Sequence, residues 1–246
     1  MNRRFLIAAA LSIAATLSPF VFARADIVLY GSVGGSNVWF NNISESSPNI
    51  GGGIGGVPEL FGAPTSMSNT LVFMPQLFDA SSVGTGISML SSQLNFTIDA
   101  NPGYLITGVR VEQFGDYTIS TPFAGGMGLV ASSANAFFNT PGGLFSGGYS
   151  FFDTSTTTPG IFGVPFSKDF TVNFAPTGSA TFSMNNVLAG ASFGPTDASF
   201  INNQGALITV FVQAVPEPSS SCAALAGVLF FLIRRRGSNV SRLRLD

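Results

Sequence analysis

Histidine is absent from the 246 residues, and the only cysteine is Cys222. Without histidine the chain lacks the commonest general base and the commonest metal-binding side chain. Ser-His-Asp triads and histidine-bearing zinc sites are excluded with it. The stretch from Asp26 to Val215 has no thiol, so it has neither a cysteine nucleophile nor a disulfide. Cations are almost as scarce. Arg110 and Lys168 are the only basic residues there, against ten carboxylates, which leaves a balance of −8. Nucleic-acid binding needs clustered Lys and Arg to displace phosphate counterions, so that class is excluded.

The two ends carry what the middle lacks. Met1-Asn2-Arg3-Arg4 is followed by an apolar run from Phe5 to Leu17 and then by Ala23-Arg24-Ala25. A basic start, an apolar stretch and small residues at a cleavage point are the three parts of a secretory signal peptide. Residues 1–25 are therefore expected to be a signal peptide cut by signal peptidase after Ala25, with Ala23 and Ala25 in its small-residue pockets. Val21-Phe22-Ala23 offers a second site. Phe5 directly after the arginine pair does not fit the twin-arginine pattern, and no cysteine near the cut supports a lipoprotein.

The body, residues 26–214, is rich in what makes turns and strands. Of the 29 glycines, all but Gly227 and Gly237 fall between residues 26 and 215, spread among Ser, Thr, Asn and Pro. Many segments alternate with period two. Leu94, Phe96 and Ile98 share one side of their segment. Leu105, Val109 and Val111 follow after Asn101-Pro102-Gly103, and Gly115-Asp116 leads into Tyr117–Ser120. Phe166, Phe170, Val172 and Phe174 form another face, and Ala180, Phe182 and Met184 the next after Pro176-Thr177-Gly178. The segment from Ala206 to Val215 is apolar on both sides, as a central strand is. Further strands are expected at Asp26–Tyr30, Asn37–Asn41 and Thr70–Met74. Short strands without amphipathic helices predict an all-β, antiparallel β-sandwich, jelly-roll-like. Ser44–Pro64 and Pro141–Pro165 read as loops.

Chemistry-bearing motifs are few. Gly51–Gly56 fits G-x-G-x-x-G but lacks the strand and helix that give the fingerprint meaning. No Asp-x-Asp-x-Asp-Gly calcium loop occurs, and no cofactor or metal is expected. Glu112 and Asp116 are the one carboxylate pair close enough in sequence to suggest a glycosidase. Trp39 with Phe40, or Tyr149 with Phe151, could stack on sugar rings, although an aromatic residue in a strand usually serves the core.

After the last strand come Val215-Pro216-Glu217-Pro218, an apolar run from Cys222 to Ile233, and Arg234-Arg235-Arg236. The prolines keep the first part extended. The apolar run is short for a span of ~20 residues, and the arginines would hold the far side in the cytoplasm. In its three parts and their order, this tail closely resembles the PEP-CTERM sorting signal, over residues 215–237. The resemblance implies an exported protein of a Gram-negative, exopolysaccharide-producing bacterium. It implies a transient inner-membrane anchor in the form of a short hydrophobic helix, with Pro216, Glu217 and Pro218 recognised and cut by an exosortase. Arg234, Arg235 and Arg236 would stop transfer, and residues 238–246 would form a polar cytoplasmic extension. In such a host the acceptor patterns at Asn42-Ile43-Ser44 and Asn95-Phe96-Thr97 are incidental. Asn101-Pro102-Gly103-Tyr104, Thr107-Gly108 and Glu112–Tyr117 also resemble a segment common in the bodies of that family, which supports a sandwich and assigns no activity.

The expected protein is a non-enzymatic structural or interaction component of the outer envelope or extracellular matrix. The alternative is a carbohydrate-binding module whose partner is exopolysaccharide.

Overall fold

A computed structural model describes residues 26–47, 60–75, 77–123, 125–155 and 160–215. The expected signal peptide, the Pro-Glu-Pro motif, the apolar run and the arginine cluster lie outside the described residues. Among the described residues there is no helix, and so none long and apolar enough to cross a membrane.

Twelve strands follow one another: β1 (Asp26–Gly34), β2 (Val38–Ser47), β3 (Thr65–Met67), β4 (Thr70–Phe73), β5 (Asp79–Val83), β6 (Gly86–Ala100), β7 (Tyr104–Ser120), β8 (Gly128–Thr140), β9 (Gly143–Ser155), β10 (Ile161–Thr177), β11 (Ser179–Ser192) and β12 (Ala198–Ala214). They form two antiparallel sheets, as the alternation predicts. Sheet A runs in the order β1-β2-β6-β11-β8-β9. Sheet B runs β10-β7-β12-β4-β3, with β5 paired to β12. The expected central strand, β12, lies between β7 and β4.

Period-two side-chain placement sends one set of residues inward from each sheet. In β6 this set includes Leu94, Phe96 and Ile98; in β11, Ala180, Phe182 and Met184; in β7, Val109 and Val111. The Phe96 and Phe182 rings stack at 4.4 Å, and Phe138 of β8 meets Phe182 edge-on at 5.2 Å. A second aromatic group, Phe61 with Phe73 and Phe78, closes the far end. Along one flank the edge strands of the two sheets meet: Phe151 of β9 stacks on Phe166 of β10 at 5.6 Å.

Three expectations need correction. The segment of Leu105, Val109 and Val111 and the segment Tyr117–Ser120, read one after the other in the sequence, are a single strand, because β7 runs straight through Gly115-Asp116. A Cβ on Gly115 would lie 1.9 Å from the Asn202 carbonyl oxygen of β12, so the glycine is there for close approach of two strands. The stretch from Pro141 to Pro165 is not one loop: β9 occupies Gly143–Ser155 and β10 begins at Ile161. Its Phe145, Tyr149 and Phe151 alternate with small residues, and they pack against the core. The start of the Ser44–Pro64 segment is likewise strand, since β2 continues to Ser47.

Inside this end of the sandwich sits Glu45, a carboxylate only 3% exposed. It accepts hydrogen bonds from the Tyr30 hydroxyl (2.6 Å), the Ser92 hydroxyl (2.6 Å) and the backbone N–H groups of Leu60 and Phe61 (both 3.2 Å). A buried charge is tolerated only when its lone pairs are filled in this way. The carboxylate thus ties residues 60–61 to β2 and β6.

Candidate functional site

Because β8, β9, β11 and β6 pair in register, the residues that point away from the core come together as an ordered grid. Inward-facing Ala134, Ala136 and Phe138 of β8 are buried, which leaves Ser133, Asn135 and Phe137 outward. Gly148 of β9 is opposite Asn135, Asn135 is opposite Asn185 of β11, and Asn185 is opposite Gln93 of β6. A neighbouring row runs Ser146, Phe137, Ser183 and Asn95 across the same four strands. Both rows reach β2, at Ser46 and Ser44. Three strand spacings of ~4.8 Å and four residues of ~3.3 Å make a patch of roughly 14 by 13 Å.

One end of the grid is hollowed. A depression of about 440 Å³ lies over the β8–β9 hairpin, lined by Ser133, Asn135, Phe137, Ser146, Gly148 and Ser150. Gly148 lets the Asn135 carboxamide approach β9 closely: a Cβ there would lie 2.5 Å from the Asn135 Oδ1 and from the Ala134 carbonyl oxygen. The Phe137 ring stands beside it, 42% exposed. Further along, the Gln93 Nε2 donates to the Ser183 Oγ (3.0 Å) and to the Asn95 Oδ1 (3.2 Å). That contact braces one side of the grid and leaves the Asn135 and Asn185 carboxamides facing solvent.

The inward side of the same hairpin is a hydrogen-bonded support. The Tyr149 hydroxyl donates to the Gln113 Oε1 of β7 and lies 3.1 Å from the Ser132 hydroxyl. The Tyr117 hydroxyl donates to the Asp153 carboxylate, joining β7 to β9. Burial pushes the Tyr149 hydroxyl up to about 12. Tyr117 reaches about 12 as well, through burial first and then its bond to Asp153.

The residues singled out in the sequence are placed very differently. Trp39 is half exposed, while Phe40 is fully buried. Trp39 is opposite Asp99 of β6, four residues and therefore ~13 Å along the strand from Asn95 in the nearer row, so it flanks the grid without joining it. Tyr149 and Phe151 point inward and pack against the core, so neither is a sugar-stacking platform. Glu112 and Asp116 share the outer side of sheet B, but four residues of extended chain hold them ~13 Å apart, beyond either glycosidase geometry. Each is also engaged: Glu112 pairs with Arg110 at 3.3 Å, and Asp116 accepts from the Gln204 Nε2 at 2.7 Å. Among the described residues no group of three acidic or cysteine side chains could hold a metal.

Sequence reasoning missed Phe137, Asn135, Asn185, Ser183, Gln93 and Asn95. Alternation through residues 128–140 was the available signal for β8, muted because its inward members include Ser132, Ala134 and Ala136.

No family model matches the chain, and no curated protein does. Among solved structures it is similar to TmCBM61 in complex with β-1,4-galactotriose, at 12% identity over 76% of this chain and 88% of that one, with a TM-score of 0.20. It is also similar to the Clostridium thermocellum xylanase 10B CBM22-1–GH10 modules complexed with xylohexaose, at 9% identity over 54% of this chain and 26% of that one, with a TM-score of 0.21. Superpositions this loose assign the chain neither a fold relative nor a ligand.

Proposed function

We propose that the chain is an exported, non-catalytic β-sandwich whose sheet A binds polysaccharide on its outer face. One observation carries the reading: an uncharged grid of carboxamides and hydroxyls surrounds an exposed phenyl ring, beside a depression over the β8–β9 hairpin. Sugar hydroxyls both donate and accept hydrogen bonds, and so does a carboxamide. The less polar face of a sugar ring covers an aromatic side chain while its rim finds polar partners. A face two to three sugar units wide suits a chain polymer better than a buried small molecule.

Affinity electrophoresis tests this in gels cast with a panel of polysaccharides that includes the host's own exopolysaccharide. The chain should be retarded, and Phe137→Ala should abolish the retardation while the circular dichroism spectrum stays unchanged. Free migration of the wild type in every gel would refute it.

Location rests on the two ends of the sequence. We infer export through residues 1–25, then sorting at Pro216-Glu217-Pro218 by an exosortase while Arg234–Arg236 stop transfer at the inner membrane. The intact mass of the mature protein decides: it should lack both Met1–Ala25 and the residues beyond the Pro-Glu-Pro region. A mass that still includes Cys222–Asp246 would mean a permanent anchor.

A further inference from the structure

Resting on the carbohydrate reading, we infer that the outer face of sheet A selects uncharged glycans and discriminates against anionic ones. Cations are what an anionic polymer needs, and both of the body's cations are committed elsewhere. Arg110 lies on the outer side of sheet B, held by Glu112 at 3.3 Å and Asp169 at 3.1 Å. Lys168 of β10 places its ammonium 5.2 Å from the Phe151 ring centre, at the flank between the sheets.

Across the outward positions of β2, β6, β11, β8 and β9 the only ionisable side chain is Asp99, itself an acid. It accepts from the Asn41 Nδ2 at 2.8 Å and lies ~13 Å along β6 from Asn95, the nearer edge of the grid. A sugar carboxylate or sulfate set on the grid would give up hydration without meeting an opposite charge, which is a net loss. A hydroxyl at the same place loses little, because the Asn135 and Asn185 carboxamides replace its water in both directions.

The test compares polymers of one backbone that differ in charge: hydroxyethyl cellulose against carboxymethyl cellulose, and dextran against dextran sulfate. Each is cast into native gels for the full chain. At least one neutral polymer should retard the wild type with an apparent Kd tenfold or more below that of its charged counterpart. Asn185→Lys, at an exposed position in the grid, should shrink that ratio by strengthening retardation in the anionic gel.

An anionic polymer that retards the wild type as well as its neutral partner, with Phe137→Ala abolishing both, would overturn the selectivity and leave carbohydrate binding standing. So would retardation only by an exopolysaccharide that contains acidic sugars. No retardation in any gel, the host's polysaccharide included, removes the reading and the inference together. An unchanged ratio in Asn185→Lys would overturn the placement of the selectivity on this grid.

Discussion

The outer faces of the two sheets are built from the same alternation and end in opposite chemistry. On sheet B, neighbours along and across the strands neutralise one another: Arg110 with Glu112 and Asp169, Asp116 with Gln204, Thr70 with Thr209 at 3.0 Å. The Phe114 ring lies across Gly205, where a Cβ would come within 2.1 Å of it. On sheet A the outward carboxamides are only partly paired with each other: Gln93 donates to Asn95, while Asn135 and Asn185 face solvent near a depression over the β8–β9 hairpin. A face whose groups satisfy one another has little to offer a partner; one with spare donors and acceptors has much.

That contrast can be tested, beginning with the core beneath sheet A. Phe182 is fully buried between Phe96 and Phe138, so Phe182→Ala should cost about 3–5 kcal/mol in urea unfolding and weaken everything built above it. Glu45→Ala should cost about 1–3 kcal/mol, because it leaves the Leu60 and Phe61 N–H groups buried without an acceptor.

Alkaline pH reaches the support under the grid. The folded state holds the Tyr149 hydroxyl at about 12, above its ordinary 10. Its contribution to stability is therefore complete below pH 10 and is lost as pH rises from 10 towards 12. Unfolding followed across that window should show the loss, and Tyr149→Phe should reduce it to the share that Tyr117, also raised to about 12, contributes.

The smallest effects are the most discriminating. Asn185→Ala should leave stability within about 0.5 kcal/mol while weakening retardation in polysaccharide gels severalfold. Arg110→Ala, which breaks two largely exposed ion pairs, should cost no more than about 0.5 kcal/mol and leave retardation unchanged. Equal binding losses from the two variants would erase the distinction between the faces.

The sandwich was legible wherever large apolar residues alternate with polar ones, as in β6, β10 and β11. It was illegible where the inward residues are small. β8 buries Ala134 and Ala136 beside Phe138, and β9 carries Gly147 at an inward position because a Cβ there would lie 2.6 Å from the Val172 side chain. Composition made that region look like a loop, although its register is regular from Gly143 to Ser155. The grid could not be read at all. Gln93, Asn135, Gly148 and Asn185 are scattered along the chain and become neighbours only through the pairing of four strands.

That pairing also bears on how fast the chain can fold. Gly86 pairs with Ser192, Tyr104 with Ala214, and Thr70 with Thr209, 139 positions away. β6 has β2 on one side from the start but must wait for β11 on the other, and β7 has no neighbour in sheet B until β10 and β12 are present. Domains dominated by such distant pairings close over milliseconds to seconds, far behind helical bundles. For a polypeptide that must thread a membrane unfolded, as the proposed export requires, this delay is useful: the chain stays threadable until its late strands, β11 and β12, have emerged.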